Sequence, residues 1–211
     1  MPRPTDCLIV VDVQNDFCPG GALAVPRGAE IVPLVNRLAA RFAHVVLTQD
    51  WHPAGHASFA SSHPGRKPFE TIRLSYGTQV LWPDHCIQGT QGAALHAGLD
   101  IPHAQLLIRK GHHRKVDSYS AFLEADRKTK TGLDGYVKSR GVRRVFCVGL
   151  ATDFCVAWTA LDARRFGLEA VVIDDACRAI DSEGSLAAAW LAMAKARVRR
   201  CAARDLSFWR N

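Results

Sequence analysis

No apolar run in the sequence approaches the roughly 20 residues that a membrane-spanning helix needs. The longest runs, at residues 7–11 and 187–194, stop far short of that length, so no membrane partner is expected. Low-complexity tracts and internal repeats are also missing, which argues against a disordered or fibrous chain. The first six residues lead straight into a strand-like run that reaches Asp12, without a separate apolar leader or a small-residue cleavage site; nothing there points to export. Seven cysteines (7, 18, 86, 147, 155, 177 and 201) form an odd set with no CxxC spacing. Several sit in apolar runs, where a free cysteine behaves as a small hydrophobe, and a reducing cytoplasm is the expected setting. Lys and Arg outnumber Asp and Glu 27 to 20, for a net charge of +7, but the excess is scattered and is densest at Arg197, Arg199, Arg200 and Arg204. A nucleic-acid binder gathers its charge on one face beside a recognition motif, so a solvated basic surface is the better reading and no nucleic-acid partner is expected.

What is present suits one domain over 1–211: 211 residues, 48% of them hydrophobic and 22% charged, enough to bury a sizeable core. Continuously apolar runs at 7–13, 44–48, 105–109, 144–148 and 169–173 read as strands buried on both sides. Between them, residues 29–42, 153–166 and 182–195 carry apolar side chains at helical spacing, with a weaker helix at 133–139. Gly141 and Gly167 stand where C-caps belong, Thr152 or Asp153 can cap the helix that follows, and residues 197–201 suit a last edge strand. The alternation predicts an α/β fold with three α/β/α layers and a mostly parallel, doubly wound sheet of about six strands.

Ligands bind such sheets at the carboxyl ends of the strands. Asp12, Lys110 and the Gly149 to Cys155 turn all fall there, as does the start of a long aperiodic stretch from Asp50 to Gly92. A loop of that length in a compact domain is usually functional. Cys155 opens a helix, where unpaired N–H groups and the dipole favour a thiolate; a packed structural cysteine is the competing reading. No histidine stands at a protease-like spacing from it, so another base is required. Asp12 suits a proton shuttle and Lys110 can supply the ammonium that tunes it, although strand-end charges often simply reach water. Asp50, His52 and His85 can form a donor set for one divalent metal ion, be it zinc, iron or manganese, with ordinary polar loop groups as the competing reading. His56 and His63 lie in the same loop, and His112 and His113 read as solvent-facing.

Taken together, these segments resemble the nicotinamidases of the isochorismatase-like cysteine hydrolase superfamily over nearly the whole chain. The resemblance rests on Asp12-Val-Gln-Asn-Asp-Phe17 with its Pro-Gly-Gly-Ala-Leu, Thr48-Gln-Asp-Trp-His-Pro53, Ser58-Phe59 and Trp82-Pro-Asp-His-Cys86, then Arg109-Lys-Gly111, Asp117-Ser-Tyr-Ser-Ala-Phe122 and Gly149-Leu-Ala-Thr-Asp-Phe-Cys155. It implies a catalytic triad of Asp12, Lys110 and Cys155 and metal ligands Asp50, His52 and His85. It further implies an aromatic pocket of Phe17, Trp82 and Tyr119, for which core packing is the competing role. One branch of the family has a histidine where Ser58 stands, so the fourth metal position is open between Ser58, His56 and water. A cis peptide between Leu150 and Ala151, with an oxyanion hole from the amides of Ala151 and Cys155, is also implied. The implied activity is hydrolysis of nicotinamide, and of pyrazinamide, through a cysteine thioester, with a small molecule as the partner. Two alternatives stand beside it: a metal-independent amidohydrolase of another carboxamide or ureido substrate, and a non-catalytic binding module. A homo-oligomer is left open.

Overall fold

The computed structural model describes residues 2–207; residue 1 and residues 208–211 of the expected domain lie outside the described residues. Six strands, β1 (Asp6–Val11), β2 (His44–Asp50), β5 (Leu106–Lys110), β6 (Arg144–Leu150), β7 (Glu169–Arg178) and β8 (Arg199–Cys201), form one sheet in the order β5-β2-β1-β6-β7-β8. Every pairing in it is parallel, as the apolar runs of the inner strands predict, while the edge strands β5 and β8 carry exposed arginines. Along β1, Leu8 and Val10 pack on one face, with Val32, Val35 and Leu38 of α1 (Val32–Ala39). Cys7, Ile9 and Val11 pack on the other, with residues of α2 (Leu133–Ser139), α3 (Ala157–Arg165) and α4 (Ser185–Lys195). This is the expected three-layer, doubly wound α/β fold. Among the described residues no helix is long and apolar enough to cross a membrane, and all seven cysteines are free.

From β1 the chain moves outward to β2 and β5, then returns to β6 on the other side of β1 and continues outward to β7 and β8. The order therefore reverses between β1 and β6, and the connections leaving these strands diverge to open a crevice at their carboxyl ends. Asp12 and the turn to Cys155 stand on its two sides. Gly149 makes the approach possible: at φ 117° its missing Cβ would lie 2.0 Å from the Val11 carbonyl oxygen.

Several element ends differ from expectation, each for a local reason. β1 stops at Val11, because Asp12 turns into the left-handed region at φ 46°. The helix expected over 29–42 starts as a 3-10 turn, Gly28–Ile31, and becomes α-helical at Val32, where Pro33 fits the first turn and lacks the amide an interior position would need. The helix expected from 182 begins at Ser185, after Asp181, Glu183 and Gly184 adopt left-handed conformations. Gly141 and Gly167 close their helices with φ 62° and 80°. The long stretch after β2 holds a hairpin that periodicity does not reveal, β3 (Thr71–Leu74) against β4 (Gly77–Val80). These four-residue strands are largely half-buried and carry too short a pattern to read.

Candidate active site

Asp12 sits immediately beyond β1, fully buried, in a backbone conformation that non-glycine residues seldom adopt. Thr48 of β2 holds it there, accepting from the Asp12 amide at 3.1 Å and donating its hydroxyl to Oδ1 at 2.6 Å. Lys110 Nζ lies 2.9 Å from Oδ2 as an ion pair, yet no aligned hydrogen bond reaches that oxygen. Oδ2 is thus the oxygen free to exchange a proton. Burial pushes the Asp12 carboxyl up, and Lys110 only partly pulls it back.

Lys110 ends β5 and is completely buried. Its ammonium donates to the Ser118 carbonyl at 2.8 Å and to Cys155 Sγ at 3.4 Å, and pairs with Asp50 as well as Asp12. Burial opposes the charge, but the two carboxylates outweigh it and hold the lysine well above its ordinary value. Cys155 is 5% exposed. Burial pushes its thiol well above the usual range; Lys110 pulls it down, and Asp12 and Asp50 push it up again. That corrects the expectation of a thiolate favoured by a helix start. The chain enters α3 through a wide π turn, Thr152–Val156, and sets the sulfur beside two carboxylates, so the resting group is the thiol. The expected cap is corrected too. Asp153 accepts from the amides of Ile180 and Asp181 and from the Ser185 hydroxyl, fastening the start of α4 instead of its own helix.

The Asp50, His52 and His85 side chains converge, with donor atoms within 4.8 Å of one another and all three residues buried. Two bridges assemble this group from distant sequence. The His52 amide donates to the Cys86 carbonyl and the Gln88 amide to the His52 carbonyl, which lays His85 beside β2. Gln14 clasps the backbone of Asp50 with its side-chain amide, at 2.8 and 2.9 Å. His52 Nδ1 meets the Gly111 carbonyl at 2.9 Å and His85 Nδ1 meets the Pro83 carbonyl at 2.8 Å. A carbonyl only accepts, so each Nδ1 carries a proton and each Nε2 faces Asp50 Oδ2, at 3.6 and 3.9 Å. Burial opposes a charge on His52, but the Asp50 carboxylate outweighs it and holds that imidazole above its ordinary value. Burial and the neighbouring His52 push His85 down to about 4, which keeps it neutral. Burial opposes the charge of Asp50 as well, yet Lys110 and His52 hold its carboxyl below the ordinary value. Two imidazoles and a carboxylate aimed at one point fit a divalent cation, which would displace the Nε2 proton of His52 on binding.

The two candidates for a fourth donor are joined to each other. His56 Nδ1 takes the Ser58 hydroxyl at 2.7 Å, while Nε2 faces the carbonyls of His113 and Val116 at 3.1 and 3.2 Å. Both nitrogens of His56 are thereby committed, and its ring lies tilted against His52 at 4.4 Å between centroids. His63 bonds the Ala57 carbonyl; His112 and His113 are exposed as expected, although His113 also holds the buried Glu124 at 2.8 Å.

Above these groups opens a narrow cavity of about 20 Å³, lined by Phe17, Trp82 and Tyr119 together with Ala151, Cys155, Asp50 and His85. The Leu150–Ala151 peptide is cis, as the resemblance implied. Phe154 joins the aromatic wall, edge-on to Trp82 at 4.9 Å. A wider depression elsewhere, between residues 15–21 and 91–96, is open to solvent and has no nucleophile in its wall except Cys18, far from any base of the triad.

A sequence profile of the isochorismatase domain matches residues 6–203. The chain belongs to the isochorismatase family. It is 59% identical over 207 residues to a nicotinamidase of Acinetobacter baylyi, covering 98% of this chain and 97% of that one. A solved nicotinamidase/pyrazinamidase of Acinetobacter baumanii superposes with a TM-score of 0.96 at 58% identity, over 97% of this chain and 99% of that one. The pyrazinamidase of Pyrococcus horikoshii in complex with zinc superposes with a TM-score of 0.76 at 34% identity, over 94% and 99%.

Within this isochorismatase-family chain, the supports around the site escaped the sequence reading. Thr48, Gln14 and Asp117 stand inside the quoted motifs, so the motifs marked the segments without disclosing what each side chain touches. Leu23, within the quoted Pro-Gly-Gly-Ala-Leu segment, and Ile180, from a segment that gave no signal, complete the cavity wall. Gly111 is a further case. A Cβ there would lie 2.5 Å from His52 Cε1, at φ 64°, and the ring has no room to retreat between His56, Phe59 and His85. Gly111→Ala is therefore expected to weaken zinc binding about 10-fold or more, read by competition with a chromophoric chelator. An unchanged affinity would show that His52 is not a ligand.

Proposed function

We propose that this chain hydrolyses nicotinamide to nicotinate and ammonia, and pyrazinamide likewise, with Cys155 as nucleophile. The observation that carries the reading is the single buried ammonium of Lys110, which reaches Asp12, Cys155 and Asp50 at once beneath an aromatic cavity. The names of the relatives support the substrate class. The aromatic lining of Phe17, Trp82, Tyr119 and Phe154 suits contact with a pyridine ring.

Asp12 Oδ2 takes the proton of the thiol, and Lys110 holds the carboxylate in place while moderating the negative charge that gathers on sulfur. The sulfur attacks the carboxamide carbon. The amides of Ala151 and Cys155 receive the oxyanion, a contribution worth roughly 3–4 kcal/mol per donor where it has been tested. Asp12 returns its proton to the departing ammonia, leaving a thioester. A water that gives its proton to Asp12 cleaves this, and nicotinate leaves with the thiol restored. Asp50, His52 and His85 would hold the divalent cation, with Ser58 or water completing its surroundings. As a Lewis acid, the cation would anchor the ring nitrogen and fix the carboxamide over the sulfur. Zinc, iron and manganese all suit the donor set. The seven unpaired thiols support a reducing, cytoplasmic setting.

The deciding experiment is ammonia release from nicotinamide by the purified protein, before and after chelation, with metal content measured on the same sample. Release that falls at least about 10-fold with loss of the metal and returns on adding zinc, iron or manganese is the expected result. Full activity in the metal-free protein would favour the metal-independent alternative, and a metal-loaded, folded sample that releases no ammonia would overturn the substrate.

A further inference from the structure

Asp117 is a buried carboxylate that the mechanism does not use. It stands in the loop after β5 and is 2% exposed. Its Oδ1 accepts from the Ser118 amide at 2.8 Å and its Oδ2 from Gln79 Nε2 at 2.8 Å. Both donors are neutral, and among the described residues Asp117 forms no ion pair. A carboxylate in that position is costly unless a positive charge stands nearby.

The side chains that share its surroundings belong to the metal-ligand group. Donor atoms of Asp117, His52 and His56 lie within 4.8 Å of one another, and His52 also stands within 4.8 Å of Asp50 and His85. The two clusters therefore meet on one imidazole. Asp12, Asp50 and Asp117 are three buried carboxylates, and Lys110 is the single buried ammonium among the described residues. With the carboxylates ionised and the imidazoles neutral, as metal ligands must be, they leave two uncompensated negative charges, the amount that one divalent cation cancels.

We infer that Asp117 is a positioning residue for the divalent cation, supplying through space, behind His52 and His56, one of the two negative charges that the cation neutralises. It touches neither the substrate nor the reacting sulfur. This inference rests on the reading of Asp50, His52 and His85 as the metal ligands. Gln79, at the end of the β3–β4 hairpin, then has a defined part: its amide holds the carboxylate, and it also bonds the Tyr119 hydroxyl at 3.1 Å.

The test compares zinc affinity and melting temperature for wild type, Asp117→Asn and Asp117→Glu, each freed of metal and then titrated with zinc against a chromophoric chelator. Asp117→Asn is expected to weaken zinc binding at least about 10-fold, the usual effect of losing a group behind a ligand. Its metal-free form is expected to melt at or above the metal-free wild type, because an uncompensated charge has been removed. Asp117→Glu, which keeps the charge, is expected to stay within about 3-fold of the wild-type affinity. Equal zinc affinity in Asp117→Asn overturns the proposal. So does a weaker affinity accompanied by a lower metal-free melting temperature in both variants, since that pattern belongs to a packing role. A wild-type protein that binds no zinc, iron or manganese would instead overturn the metal reading beneath it, which separates the two failures.

Discussion

Cys155→Ala is expected to lower ammonia release from nicotinamide by at least about 10³-fold, because no other nucleophile in the cavity can form the covalent intermediate. The remaining side chains explain why the loss should be confined to chemistry. Lys110 keeps Asp50, Asp12 and the Ser118 carbonyl when the sulfur is gone, so its ammonium stays paired. Asp50, His52 and His85 keep every contact that orients them, since none of those contacts involves the sulfur. Zinc content and melting temperature should therefore match wild type, measured by elemental analysis and thermal unfolding. Turnover close to wild type would remove Cys155 from the mechanism. A parallel loss of metal would mean that the thiol belongs to the ligand set, a geometry that its proximity to Asp50 permits.

Lys110→Met is expected to have the largest effect on stability. Methionine is apolar and of similar length, but it leaves Asp12 and Asp50 facing one another without a cation in a dry interior. Breaking a buried ion pair by removing one partner costs about 3–5 kcal/mol, because the surviving charge stays buried. Here two carboxylates are stranded, so the metal-free variant should lose at least that amount in urea unfolding. Added zinc should recover part of the loss, since it neutralises Asp50 from the other side and binds only the folded state. Activity should not return with it, because Asp12 would hold its proton more tightly without the ammonium and could no longer accept one from sulfur. An unfolding free energy equal to wild type would show that the two aspartates already share a proton, and that the ion pairs do not hold the site together.

Both expectations depend on one geometric fact that lies between the two halves of the sequence reading. The motifs separated a triad, Asp12, Lys110 and Cys155, from a metal group, Asp50, His52 and His85. In the folded chain Lys110 belongs to both, being paired with Asp12 and with Asp50. Adjacent parallel strands explain this: Asp50 stands opposite Lys110 in the β2–β5 register, and Asp12 follows the last residue of β1, which is paired with β2. Strand ends that are close in the sheet bring their side chains together however far apart they are in sequence.

The sequence by itself determined the sheet, its parallel sense and the rim on which function sits. The inner parallel strands are apolar along most of their length, and the helices between them repeat at a helical period, so these features are written locally. It also determined the chemical types that converge, because a nucleophile, a base and metal donors at strand ends are legible one by one. Tertiary structure decided the rest. It decided the protonation of Cys155, since burial and two carboxylates outweigh the helix start. It decided that His56 is committed to Ser58 and two carbonyls, that Asp153 fastens α4, and that Asp117 stands behind His52. Each of these depends on which neighbour a buried polar atom meets across the fold, and hydrogen bonding and Coulomb energy act through a few ångströms of space, which spacing along the chain does not encode.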